Sequence, residues 1–108
     1  ADNFVMRLVK VEVKKGNEEA FAHSVKKEIT TSIASEPGME IMMSGTNKEN
    51  PNEWYFVEVY ANDQAYDNHV QTPHYEEYIE ETDGMVERRD VKTLVRDVLA
   101  TQGAIVLD

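Results

Sequence analysis

Two of the three histidines stand five residues apart in His69-Val70-Gln71-Thr72-Pro73-His74-Tyr75. Imidazole titrates near neutrality, so such a pair can move protons on or off an acidic organic substrate. On one continuous helix a five-residue step puts the rings about 140° apart, but Pro73 permits a bend that turns both toward one cavity. In that arrangement His69 is the proton acceptor or a hydrogen-bond donor to substrate, and His74 is a second polar group bracing the wall. The alternative is that one or both are surface or capping side chains. A second set of candidates lies in Trp54-Tyr55-Phe56-Val57-Glu58-Val59-Tyr60. In an extended chain Trp54, Phe56, Glu58 and Tyr60 share a face. Trp54 and Phe56, joined by Tyr75, are candidate substrate-binding walls. Glu58 among aromatics is either paired, with Arg7 as a candidate cation, or raised in pKa, or at the solvated end of the strand, and at a substrate site it would be a structural or histidine-orienting carboxylate. His23, next to Phe21 and Val25, reads as structural or solvent-facing.

Other chemistries find little support. Asp67, Glu76 and Glu77 near the histidines imitate a two-histidine, one-carboxylate set, yet no H-E-x-x-H or comparable spacing occurs, and no metal site is expected. The absence of cysteine excludes disulfides, thiolate zinc sites, iron–sulfur ligation and a cysteine nucleophile. No glycine-rich nucleotide motif and no G-x-S-x-G is present, so nucleotide cofactors and serine hydrolysis are not indicated. Eleven Lys and Arg against 21 Asp and Glu give a net charge of −10, which opposes contact with phosphate backbones or anionic lipid. No nucleic-acid or membrane partner is expected. With no apolar run of membrane-spanning length and no basic, then hydrophobic, leader after Ala1-Asp2-Asn3, a cytoplasmic protein is expected.

The elements that must position these residues follow from periodicity. All 108 residues read as one domain. Phe4 to Lys14 predicts a strand, apolar on both parities at first and then alternating through Val9, Val11 and Val13. Gly16 breaks it, Asn17 is a candidate cap, and Phe21, Val25, Ile29 and Ile33 predict an amphipathic helix. After the Glu36-Pro37-Gly38 turn comes a short strand from Met39 to Gly45, with Met39, Ile41 and Met43 on one side. A polar loop over 47–52 follows, and then the aromatic strand Trp54 to Tyr60. Asn62 or Asp63 starts a second helix to about Val70, and Pro73 starts a third, with Tyr75, Tyr78 and Ile79 on one face. Asp83-Gly84 is a turn. Val91 to Leu99 predicts a last strand, and Ala104 to Leu107 is an apolar tail. The order β-α-β-β-α-α-β folds into an α+β, ferredoxin-like antiparallel sheet with helices on one face. The bare face is apolar as well, which predicts a homodimer joined through it.

Several segments resemble the antibiotic biosynthesis monooxygenase family. They are Leu8-Val9-Lys10-Val11 with Gly16, the Glu36-Pro37-Gly38 turn, and Tyr55 to Tyr60 leading through Ala65 to His69 and Thr72-Pro73-His74-Tyr75. The resemblance covers nearly the whole chain and implies a ferredoxin-like fold paired sheet to sheet into a dimeric α+β barrel. It also implies a small aromatic substrate and dioxygen as reactants. The family includes cofactor-free monooxygenases of quinols and phenols, haem-degrading enzymes, and an isomerase of a phosphorylated autoinducer-2 signal. At the positions of the haem degraders' key residues this chain has Val9, His69 and Ile79, so the haem reading loses its support. The expectation is a monooxygenase of a quinol or phenolic, polyketide-like substrate, with no cofactor. The isomerase and a non-catalytic ligand-binding dimer are the alternatives. The isomerase's substrate bears a phosphate, whereas the cations near the third helix are only Arg88, Arg89 and Lys92, which keeps that reading second.

Overall fold

The computed structural model describes residues 4–103. Its elements are β1 (Val5–Val13), α1 (Glu18–Ser35), β2 (Met39–Asn47), β3 (Asn50–Tyr60), α2 (Asp63–His69), α3 (Pro73–Thr82), a short 3-10 turn (Asp83–Met85) and β4 (Val86–Leu94). The four strands form one antiparallel sheet in the order β2-β3-β1-β4, the ferredoxin-like arrangement.

Gly16 takes a φ of +93°, a conformation that costs a side-chain-bearing residue energy, and so turns β1 into α1. The Glu18 carboxylate accepts the Gly16 N–H at 2.7 Å and secures that turn. Val9, Val11 and Val13 then meet Phe21, Val25, Phe56 and Tyr78 in the main core. Phe21 is the hub, in edge contact with Trp54 at 5.0 Å and Phe56 at 6.4 Å. A smaller cluster of Met39, Met42 and Tyr60 packs under α2 against Ala65 and Tyr66.

The sequence expectations depart from the structure in four places. A register shift between Met39 and Ile41 makes a bulge in β2, so Met39 and Met42 are the buried pair while Ile41 and Met43 face the other way. The expected loop over 47–52 contracts to a tight hairpin, because Asn47 pairs directly with Asn50. The last strand runs over Val86–Leu94 rather than from Val91 to Leu99. Its charged first half reads as a loop in isolation, but at a sheet edge charges can stay wet while the backbone pairs with β1. On α1 the buried face runs through Phe21, Ser24, Val25, Glu28 and Ser32, leaving Ile33 exposed. The apolar tail expected at Ala104 to Leu107 lies outside the described residues.

Among the described residues no helix covers the opposite face of the sheet. Pairing sets Met43, Val57 and Leu8 in one row and Ile41, Val59, Met6 and Leu94 in the next. Leu8, Ile41, Met43, Tyr55 and Leu94 are all exposed. No helix among the described residues is long and apolar enough to cross a membrane.

Candidate functional site

The site is assembled where α1 ends and α2 passes into α3. Asn62 caps α2 by accepting the Ala65 N–H at 2.9 Å. His69 is its last residue. The Thr72 hydroxyl donates to the His69 carbonyl at 2.7 Å and accepts the Tyr75 N–H at 3.2 Å, while Pro73 fills the first position of α3. One threonine thereby ends one helix, starts the next and fixes His69 relative to His74. On the α1 side, the Gly38 backbone runs so close to α2 that an added Cβ would overlap the Ala65 methyl. That approach carries Glu36, at the C-cap of α1, up to both imidazoles.

His69 is 2% exposed, and both of its ring nitrogens meet carboxylates. Nε2 lies 3.1 Å from Glu28 Oε1, and Nδ1 lies 3.0 Å from Glu36 Oε2. His74 Nε2 reaches the same Glu36 oxygen at 2.6 Å. The result is a continuous polar chain, Glu28–His69–Glu36–His74. Burial disfavours a charged His69, but the hydrogen bonds to Glu28 and Glu36 outweigh it and raise the imidazole pKa. Burial would likewise raise Glu36, but its bonds to His74 and His69 prevail and hold it below the usual carboxylate range.

On the sheet side of His69 is a cavity of about 100 Å³. Val9, Phe56, Tyr75 and Tyr78 supply its apolar walls, and Arg7, Glu28, Glu58, Tyr60, His69 and Arg89 its polar groups. Tyr60 donates its hydroxyl proton to Glu58 at 2.8 Å, and Arg7 stands 3.9 Å from the same carboxylate. Burial raises the Glu58 pKa, and the Tyr60 bond and Arg7 only partly offset it. The phenols are also held neutral: burial raises Tyr60, and it pushes Tyr78 up to about 12. The Arg7 guanidinium stacks on the Tyr66 ring at 4.5 Å. Arg89, exposed on β4, reaches over Tyr78 at 6.0 Å.

Of the residues singled out by sequence, Phe56, Glu58, His69 and Tyr75 come together at this cavity. Trp54 does not line it, since its ring is committed to the Phe21 and Phe56 core. His74 lies behind His69, outside the cavity lining, and its link to it runs through Glu36. His23 is exposed on α1. Arg7 does sit beside Glu58, as the ion-pair reading of that carboxylate expects. Sequence reasoning missed Glu28 and Glu36. Glu28 did leave a signal: three residues past Val25 and seven past Phe21, it occupies a core position of the helical stripe, where a carboxylate needs a buried partner. Glu36 read only as part of a turn.

Comparison with known proteins comes from two directions. The family described as antibiotic biosynthesis monooxygenase matches residues 4–81. No curated protein matches the chain. Among solved structures, a provisionally named monooxygenase from Lactobacillus acidophilus is 80% identical across 100% of this chain, with a TM-score of 0.94. A provisionally named antibiotic biosynthesis monooxygenase from Bacteroides thetaiotaomicron is 29% identical with a TM-score of 0.83, over 95% of this chain and 96% of its own. A provisionally named monooxygenase from Fusobacterium nucleatum is 25% identical with a TM-score of 0.79, over 96% of this chain. The chain spans 51% of the Lactobacillus protein and 50% of the Fusobacterium protein, about half the length of each.

Proposed function

The chain belongs to the antibiotic biosynthesis monooxygenase family, and from that premise we propose that it is a cofactor-independent monooxygenase of an electron-rich quinol or phenol. The observation that carries the reading is the placement of Glu58, a carboxylate whose pKa burial raises, at the wall of an aromatic cavity that His69 also lines. Removing a proton from a quinol gives an anion electron-rich enough to pass an electron to dioxygen. The radical pair then collapses to a carbon–oxygen bond, one oxygen atom stays on the ring, and the other leaves as water. For this the protein supplies a base, a dry wall and a fixed geometry.

His69 is a poor base in this arrangement, because both ring nitrogens already face carboxylates and the imidazole holds its proton. Glu58 takes the substrate proton, and burial, by raising its pKa, makes it a stronger base than a solvated carboxylate. His69 stays positive and stabilises the developing phenolate across the cavity. His74 supports it from behind through Glu36. The cavity of about 100 Å³ is smaller than the roughly 150 Å³ that takes up benzene in an engineered protein core. Substrate entry therefore requires the cavity to widen.

Oxygen consumption on adding a series of quinols, from hydroquinone to menadiol, is the test. Uptake stoichiometric with quinol supports the reading, whereas saturable binding without uptake leaves a ligand-binding module. The isomerase reading has its own support in Arg7 and Arg89, two guanidiniums at one cavity, suited to a phosphate. It expects turnover of a phosphorylated substrate with no oxygen consumed.

The same proposal includes a homodimer joined through the open sheet face, since the Met43-Val57-Leu8 and Ile41-Val59-Met6 rows leave a contiguous apolar surface that solvent disfavours. Light scattering of this chain should return twice its mass of 12.4 kDa, and the single mass at micromolar concentration would contradict it.

A further inference from the structure

The Nδ1 side of His69 is turned away from the cavity and meets a different set of groups. There Glu36 Oε2 is 3.0 Å from His69 Nδ1 and 2.6 Å from His74 Nε2, and donor atoms of the three residues all lie within 4.8 Å of one another. We propose that Glu36, His69 and His74 bind one divalent first-row transition ion, of the zinc or iron(II) type, as a clasp joining the end of α1 to the α2–α3 junction.

Donor chemistry is the first support. Two imidazoles and a carboxylate suit zinc and iron(II), and three protein ligands leave coordination positions for water. Spacing is the second. Bonds of about 2.0–2.2 Å set neighbouring ligand atoms roughly 2.8–3.6 Å apart, so the His69–Glu36 edge already has the required length, the His74–Glu36 edge needs a small widening, and the two histidine nitrogens, within 4.8 Å of one another, draw together on the ion. The third support is the carboxylate behind the ligand. Glu28 takes the Nε2–H of His69 at 3.1 Å, which keeps a proton on Nε2 and makes Nδ1 the nitrogen that an ion would take.

Position adds a fourth argument. The three donors come from the C-cap of α1, the last residue of α2 and the second residue of α3, and Thr72 ties the latter two together. His69 is enclosed, while the Glu36 and His74 side chains keep 11% and 18% exposure, enough for an ion to enter. Glu36 borders a cleft with Asn62 and Asn68, and His74 borders another with Lys27 and Glu77. Without an ion, each nitrogen-to-carboxylate contact needs an intervening proton. A divalent ion takes the place of the proton on His69 Nδ1, while His74 moves its proton to Nδ1 and coordinates through Nε2. It also offsets the negative charge that Glu28 and Glu36 bring to the enclosed cluster. Of the three ligands only His69 lines the substrate cavity, and an ion on its Nδ1 would supply in place of the proton the positive charge that the proposed reaction draws on.

The test is a titration of chelator-treated, untagged protein with Co²⁺, read by its visible ligand-field absorption and by competition with Zn²⁺. One equivalent should bind, and Zn²⁺ should displace it and raise the thermal midpoint. His74→Ala and Glu36→Gln should abolish the signal, and Glu28→Gln should weaken binding about 10–100-fold. His23→Ala, at an exposed histidine elsewhere on α1, should leave it unchanged. Circular dichroism of each variant separates lost binding from lost folding. No absorption at saturating Co²⁺, a signal that survives His74→Ala in a folded protein, or one that disappears with His23→Ala would each overturn the proposal. Oxygen uptake plays no part in any of these readings.

Discussion

The N-terminal half of α1 buries Phe21, Ser24 and Val25, and its C-terminal half buries Glu28 and Ser32, with the half-buried Glu36 following at the C-cap. Both halves are enclosed, but their energetics differ in kind. Burying a Phe or Val side chain is favourable by about 1.5–3 kcal/mol with no requirement on direction beyond packing. Burying Glu28 against His69 exchanges hydration for a hydrogen-bonded ion pair and comes out near neutral overall. The apolar half therefore carries folding free energy, and the polar half carries orientation: a defined place for each proton and charge. One helix serves both because its stripe changes composition after Val25, not because it changes direction.

The sharpest way to break this division is to exchange the readouts. Glu58→Gln keeps an acceptor for the Tyr60 hydroxyl, so quinol-dependent oxygen uptake should fall by about 10²–10⁴-fold while the denaturant midpoint stays near that of the parent. A matching loss of stability would place Glu58 with the scaffold. Phe21→Ala is the converse. It empties the centre of the aromatic cluster, and unfolding free energy should drop by about 3–5 kcal/mol in a urea titration. A drop under about 1 kcal/mol would mean that the core closes without it.

A smaller effect sharpens the polar half. Folding raises the His69 pKa above its ordinary 6.5, so its contribution is complete below that pH and is lost as the pH rises through the folded value. Glu36 is lowered from 4.5, so its contribution is present above 4.5 and lost as the pH falls through its folded value. Glu58, raised from 4.5, favours the folded chain at low pH and loses that effect as the pH rises. Stability should peak in mildly acidic solution. The gap in denaturant midpoint between the parent and His69→Gln should narrow from pH 6 to pH 9, and a gap independent of pH would remove His69 from the account.

The order of elements was legible because each boundary had a local cause: Gly16, Pro37-Gly38, Asn62, Thr72-Pro73 and Asp83-Gly84 all act over a few residues. The Phe56, Glu58, His69 and Tyr75 grouping was legible for a related reason, since strand parity and a proline bend are also local. What escaped depends on partners distant in sequence. The β2 bulge is a matter of register against Val59 and Tyr60, and the charged start of β4 becomes a strand only against β1. Glu36 gains its role from histidines 33 and 38 residues away. Glu28 was visible as a carboxylate on an apolar stripe, but its partner could not be named until α2 was in place.

The contact between Gly38 and Ala65 makes these two positions a reciprocal pair in the genetic sense. Gly38→Ala would wedge the β2 entry away from α2, and with it the carboxylate that spans both histidines. Ala65→Gly removes the methyl that the new Cβ would strike, at the cost of about 1 kcal/mol in helix propensity. A selection for suppressors of Gly38→Ala should therefore return to residue 65. Drift at one of these sites would be tolerated only with accommodation at the other, linking a surface turn to a helix 27 positions along the chain.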